Sequence, residues 1–200
     1  MKLYVTRHGQ TVEQSERHII LGTTPGHLSA LGKEQAQKLA QRLLTEPIEV
    51  LYSSDLNRTK ETSQIIIEHM PEIPFYFTTE LRERNLGEYE GANKKEVGWG
   101  VACPRFLEPP GGENFHDTLA RMKTFWHKLF KKHEKDNVLL VGHSDAMCAF
   151  FTAVMNKPFS YITEQEGLNN CSLTILEIDE KKKCRLILWN DVSHLDDSKN

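Results

Sequence analysis

Long hydrophobic runs are missing from this chain of 200 residues, and no apolar stretch approaches the roughly 18 residues that a membrane span needs. No membrane partner is therefore expected. The start of the chain offers one Lys and then only Leu3, Tyr4 and Val5 before polar residues, so no signal peptide is expected either, and the cytoplasm is the expected compartment. Cysteine is scarce. Cys103, Cys148, Cys171 and Cys184 show no C-x-x-C spacing and no finger-like pairing with His, which argues against a disulfide framework or a zinc finger and predicts reduced thiols. An excess of positive charge is also lacking: 25 Lys and Arg against 28 Asp and Glu give a formal charge of −3, which argues against a nucleic-acid partner. Internal repeats and low-complexity tracts are absent, as are metal ligands at helical i, i+4 spacing, so neither a metal nor a cofactor is expected.

What is present is an ordinary globular composition, 38% hydrophobic and 26% charged, enough for one domain over residues 1–200 with a sizeable core. Apolar runs at Leu3 to Thr6 and Val138 to Val141 read as buried strands of a parallel sheet. A long polar loop, Gln10 to His27, precedes a helix that Ser29 can cap, with Ala36, Leu39, Ala40 and Leu43 at helical spacing and Pro47 closing it. Val50 to Tyr52 makes a short strand. Ser53, Ser54 and Asp55 are candidate caps for the helix that follows, through about Ile67, with Leu56, Ile65 and Ile66 facing inward, and Ile73 to Phe77 is a third strand. Gly and Pro residues, Trp99 and Phe106 mark about 92–112 as a lid-like insertion. A helix from Glu113 to about His133 carries Leu119, Met122, Phe125, Trp126, Leu129 and Phe130 as its core stripe. A helix from Asp145 to Met155 and strands at Leu173 to Ile178 and Leu186 to Trp189 complete the pattern; a frayed tail is expected from Ser193.

The chemistry collects at the strand ends. Arg7 and His8 follow the first strand and His143 follows the Val138 run, and the carboxyl edge of parallel strands is where open α/β sheets bind ligands. Two imidazoles and an arginine thus converge on one anion. Arg58 lies at the amino end of a helix, where a cation opposes the helix dipole and points to an anion nearby. Glu83 follows the third strand and can face the same pocket, although taken alone it also fits a solvated acid paired with Arg82 or Arg84.

Thr6 to Thr11, Ser53 to Thr62, Leu81 to Gly91 and Gly142 to Ser144, with Leu28, Ser29 and Gly32 before the first long helix and Pro110 to Glu113 before the next, together resemble the histidine phosphatase superfamily, the phosphoglycerate mutase-like proteins. That resemblance implies a three-layer α/β sandwich, a mostly parallel central sheet with helices on both faces. It implies His8 as nucleophile, Arg7 and Arg58 as phosphate-binding arginines, Glu83 as proton donor and His143 as the second pocket histidine. Gln14, Gly22, Thr23 and Ser144 join Arg7, Arg58 and His143 as expected substrate contacts. Each role suits its residue. A neutral imidazole can attack phosphorus, a cage of Arg7, Arg58 and protonated His143 can hold the equatorial oxygens, and a protonated Glu83 can donate to the leaving alkoxide.

The chain departs from the family pattern at three places. Gln14 replaces a common Asn, Pro25 replaces a common Asp, and Ser144 and Asp145 stand where glycine usually follows the second histidine. Asp145 is expected to cap the following helix; raising the proton affinity of His143 and repelling an anionic substrate are the other readings. His18, His27 and, further off, His116 are outside candidates for substrate contact, whereas His69, His127, His133 and His194 read as surface residues. The expected activity is hydrolysis of a small phosphate ester through a phosphohistidine. Lys94, Lys95 and Arg105 are the only basic residues of the insertion, which favours a phosphatase over a mutase; a weakly catalytic phospho-ligand-binding module is the alternative from another class, and a homodimer stays open.

Overall fold

The computed structural model describes residues 1–97, 108–158 and 167–196. Its centre is a six-stranded sheet of β1 (Lys2–Arg7), β2 (Val50–Ser54), β3 (Phe75–Thr78), β4 (Asn137–Gly142), β5 (Leu173–Ile178) and β6 (Cys184–Asp191), in the order β3-β2-β4-β1-β5-β6. β1, β2, β3 and β4 run parallel, whereas β5 is antiparallel to its neighbours β1 and β6. The mostly parallel α/β sandwich expected from the sequence is the fold observed.

Strand alternation builds two cores, because successive side chains point to opposite faces. Leu3, Val5, Val50, Val138 and Leu140 meet α4 (Phe115–Lys132) and α5 (Ser144–Met155) on one face. Tyr4, Leu51, Leu139 and Val141 meet α2 (Ala30–Leu43) and α3 (Asn57–His69) on the other. The helices follow their periodicity: Ala36, Leu39, Ala40 and Leu43 are fully buried, as is Met122 in the α4 stripe, and only Leu119 of that stripe is partly exposed. Each buried Leu or Phe side chain stabilises the fold by about 1.5–3 kcal/mol.

Helix ends divide into those the sequence announced and those it did not. Ser29 accepts from the Gly32 amide as the cap of α2, and Asn114 and Asp117 form a capping box at α4. The expected cap of α3 is different. Leu56 occupies that position with no side-chain bond, because Asp55 is committed to a bidentate ion pair with Arg82 and Ser54 Oγ bonds His143. The inward face of α3 is carried by Ile66 and Ile67, with Ile65 half-buried. The first loop contains a short helix, α1 (Val12–Ser15), capped by Thr11. At the other end, Ser193–Leu195 form a 3-10 turn docked on α2 rather than a frayed tail, held by Lys38 Nζ to the Leu195 carbonyl and His194 Nε2 to the Cys171 carbonyl. His133 is likewise buried rather than a surface residue.

Within the expected insertion, residues 98–107 lie outside the described residues. The part before them runs alongside the first loop, with Ile20 N to Ala92 O at 3.0 Å and Lys94 N to His18 O at 2.8 Å. The part after them turns back through Glu88 N to Pro110 O at 3.0 Å. β3 is an edge strand with Phe75, Tyr76 and Phe77 exposed. No helix among the described residues is long and apolar enough to cross a membrane.

Candidate active site

The parallel strands deliver their carboxyl ends to one place. β1 ends in Arg7 and passes into His8, β2 ends in Ser54, β4 passes into His143, and β3 leads through a 3-10 turn (Thr79–Leu81) to Glu83. Arg7 and Gly142 are register partners, and His8 N donates to Gly142 O at 3.0 Å, so the two imidazoles meet edge to face with centroids 5.2 Å apart. Gly9 is required here: a Cβ on it would lie 2.4 Å from the Gly32 carbonyl oxygen, and that closeness lets the first turn of α2 pack against the His8 loop.

The hydrogen bonds of His8 fix its tautomer. Nδ1 lies 2.7 Å from Gly9 O, a group that can only accept, so Nδ1 carries the hydrogen. Nε2 then presents its lone pair and accepts from Arg58 Nε at 3.2 Å. Burial, then Arg58 and Arg7, hold the His8 pKa well below the usual imidazole value, so the ring is neutral near pH 7. Arg58 is itself buried, fastened by Gly22 O at 2.6 Å and Thr24 O at 3.0 Å, and burial lowers its pKa to about 10, which leaves it charged. The helix-start cation is thereby accommodated by loop carbonyls.

Two polar atoms in this cluster have no hydrogen-bond partner among the described residues: Arg7 Nε and His143 Nδ1. Among the described residues, the Arg7 side chain is anchored through its NH1 on Leu168 O at 2.8 Å, and His143 through Nε2 on Ser54 Oγ at 2.9 Å. Buried polar atoms without partners are costly and mark a place for a ligand. Burial, then Arg58, His8, Arg7 and Arg121, pull the His143 pKa well down; the expected protonated cage therefore depends on the anion, because a dianionic phosphoryl group is the charge that would restore the proton.

Glu83 accepts from Arg84 N at 3.0 Å and Ala146 N at 2.9 Å through Oε1, and from Asp145 N at 3.3 Å through Oε2. It therefore satisfies the first turn of α5 itself. Burial, then the neighbouring Asp145 charge, raise its pKa. Asp145 is not the expected cap; His143 holds that position without a side-chain bond, and Asp145 Oδ2 instead pairs with Arg84 Nε and NH2, both at 3.1 Å.

These groups open on a cavity of about 280 Å³ lined by Arg7, His8, Gln14, Ile19, Ile20, Leu21, Gly22, Arg58, Glu83, Leu86, Lys94, Ser144 and Asp145. A larger cleft of about 610 Å³ lies at the opposite end of the strands among Lys2, Glu177, Cys184 and Arg185, and burial there pushes the Cys184 thiol up to about 11, which keeps it protonated and unreactive. Chemistry, not size, selects the first. Of the residues expected from sequence, Arg7, His8, Gln14, Gly22, Arg58, Glu83 and Ser144 line it, and His143 sits against His8. Thr23 does not: its amide and hydroxyl are bonded to Glu90 at 2.7 and 3.0 Å. Neither do His18, His27 or His116 line it. Lys94 was legible only as one of the insertion's few cations, yet its ammonium is half-buried in the cavity near Arg7, where burial lowers its pKa. Ser54 and Glu90 escaped sequence reasoning because each acts by holding another residue.

Such a set of buried cations around a neutral imidazole is what a family of phosphoryl-transfer proteins would present. The chain matches the model of the histidine phosphatase superfamily, branch 1, over residues 3–192, and it belongs to that family. It is similar to a phosphoglycerate mutase-like protein 4 of Arabidopsis thaliana, 30% identical over 98% of this chain and 88% of the relative. A probable phosphatase of Schizosaccharomyces pombe is also 30% identical, over 98% and 96%. Among solved structures, YhfR of Bacillus stearothermophilus superposes with a TM-score of 0.87 at 28% identity, covering 98% of this chain and 99% of its own.

Proposed function

We propose that the protein is a phosphomonoesterase that hydrolyses a small phosphorylated metabolite through a phosphohistidine on His8. One observation carries this reading: the His8 Nε2 lone pair, oriented by Gly9 O and Arg58, faces a cavity that also holds Arg7 and Glu83. A mycobacterial glucosyl-3-phosphoglycerate phosphatase with 27% identity and a TM-score of 0.84 adds support by analogy.

In this mechanism the bound ester draws the Arg58 Nε hydrogen from His8 Nε2 to a phosphoryl oxygen, and the freed Nε2 lone pair attacks phosphorus as the bond from phosphorus to the ester oxygen breaks. The Glu83 proton passes to that oxygen and an alcohol leaves. Arg7, Arg58 and His143 hold the three equatorial oxygens, and the Gly9 carbonyl steadies the Nδ1 hydrogen of the positively charged phosphoimidazole. Water then attacks phosphorus, Glu83 takes its proton, the phosphorus–nitrogen bond breaks and phosphate departs. His8 returns to its starting tautomer. The scheme uses no metal ion, so turnover should survive exhaustive chelation; recovery of lost activity by one added metal would count against it.

Trapping tests the intermediate: label from a phosphate ester should attach to the protein, resist base and be lost in acid. We further assign the chain to a single domain with Lys94 of the insertion on the cavity wall, the substrate to a small-molecule ester without nucleic-acid or membrane partners, and the compartment to the cytoplasm. Lys94 supports a second reading, mutase activity, because a further cation suits a second anionic group. Primer-dependent interconversion of 2- and 3-phosphoglycerate that outpaces phosphate release would establish it, whereas stoichiometric binding without turnover would establish a phospho-ligand-binding module.

A further inference from the structure

One corner of the cavity holds two acids. Glu83 and Asp145 both line it, and Glu83 Oε2 is 3.3 Å from the Asp145 amide nitrogen. A negative charge on Asp145 raises the cost of ionising Glu83. The other partners of the two acids differ. Asp145 Oδ2 receives Nε and NH2 of Arg84, both at 3.1 Å, and Arg84 is completely buried. The ion pair holds the Asp145 carboxylate in this corner against a cation of its own. Glu83, by contrast, is met in the same corner by backbone amides and by no arginine side chain within bonding distance among the contacts described for it.

Resting on the phosphatase reading above, we propose that Asp145, pinned by Arg84, is a positioning residue that keeps the leaving-group proton on Glu83. Its ionised carboxylate makes a second charge beside it unfavourable, so Glu83 enters the reaction as the acid. The opposing field comes from other elements: Arg58 of α3 and Arg7 at the end of β1 both favour an ionised Glu83, and Lys94 adds a cation to the cavity wall. Burial of Glu83 works with Asp145 against them. The arrangement also renews the proton, since the carboxylate left after the first step stands beside a like charge and readily takes a proton from the attacking water.

Substitution of Asp145 by Asn keeps the shape and an oxygen for Arg84 but removes the charge. Carbon-13 NMR of labelled glutamate, with Glu83→Gln to assign its carboxyl signal, reads the Glu83 titration directly and without reference to turnover. Asp145→Asn should lower the Glu83 midpoint by on the order of one pH unit, and the alkaline limb of alkyl phosphate turnover should move down with it. Asp145→Glu, which retains the charge, should restore both toward the parent. In the Glu83→Gln background, Asp145→Asn should cost little more, because its effect runs through the proton that is already gone. An unmoved Glu83 midpoint in Asp145→Asn, or an equal loss with and without Glu83, overturns the proposal. Failure of the phosphatase reading is a separate result: no phosphohistidine would form in the parent protein, whatever the Glu83 titration shows.

Discussion

Two buried histidine clusters lie in this protein, and they differ in how completely their polar atoms are satisfied. His133, at the end of α4, has Tyr52 OH at 2.9 Å from Nε2 and Asp136 Oδ2 at 2.7 Å from Nδ1, with Lys132 Nζ on the same phenol at 2.8 Å. Both ring nitrogens are occupied and the cluster is closed. At the carboxyl edge, His143 is just as buried, but its Nδ1 has no partner among the described residues, nor has Arg7 Nε beside it. Burial therefore does not separate a structural histidine from one arranged for chemistry. Nor does a missing partner alone, since Tyr4 OH and His194 Nδ1 also lack one among the described residues; what sets His143 apart is a missing partner beside the cavity where Arg7 and Arg58 converge.

The largest effect that can break this comparison comes from removing one imidazole of each cluster. His8→Ala should abolish the acid-labile label and lower phosphate release by at least about 10⁴-fold, the scale on which loss of a nucleophile is felt. His133→Ala should leave turnover near that of the parent and instead cost about 1–3 kcal/mol of stability, by emptying a buried site and leaving the Tyr52 hydroxyl hydrogen without its acceptor. Chemical denaturation and a phosphate-release assay on both variants check the pair. Turnover that survived His8→Ala would remove the contrast entirely.

Next in size is the acid. Glu83→Gln should slow alkyl phosphate cleavage by about 10²- to 10⁴-fold and dephosphorylation of an aryl phosphate with an acidic phenol far less, because only the alkoxide needs a proton on leaving. Equal losses on the two esters would show that Glu83 positions rather than protonates.

The halves of this contrast were unequally legible in the sequence. Arg7, His8, Arg58 and His143 could be placed because each follows an apolar strand or opens a helix, and strand ends are readable from a buried run of branched residues, whereas Glu83, which taken alone also fits a solvated acid, was drawn in by the resemblance to the histidine phosphatase superfamily. The helices were legible for the same reason, through the spacing of Ala36, Leu39, Ala40 and Leu43. The pairing of partners distant in sequence was not. Asp145 beside Gly142 and His143 looked like a helix cap because the chain gives no sign that Arg84, distant in sequence, is buried against it. Thr23 sat in the right loop and yet bonds Glu90, and His133 looked exposed until Tyr52 of β2 closed over it. Local pattern gives elements and their ends; side-chain partners depend on which elements pack together, and that is decided by the whole sheet.

A smaller effect should come from the anion itself. Phosphate bound only by the folded protein stabilises it by about 2.7 kcal/mol at a hundred times its Kd. Thermal melts should thus rise with phosphate in the parent and in His133→Ala. In Arg7→Met the rise should fall sharply, because the unpartnered Nε is lost. A phosphate response that persisted in Arg7→Met would move the anion site away from this edge.

The smallest and most discriminating test is the pH dependence of stability. His8 and His143 titrate well below 6.5 in the folded protein, and near 6.5 when unfolded. Below about pH 6.5 the unfolded chain therefore binds protons that the folded one refuses, so stability is fully present above that pH and is lost as the pH falls toward the folded values. Each imidazole contributes at most about 1.4 kcal/mol per pH unit in that window. Urea denaturation between pH 7 and pH 5 should show a shallower loss in His143→Gln than in the parent. Saturating phosphate should flatten the parent as well, because an anion beside His143 Nδ1 raises its folded pKa toward the unfolded one. If phosphate left the parent's slope unchanged while still raising its melting temperature, the anion would be binding the arginines without engaging His143, and the second histidine would belong with His133 among the structural ones.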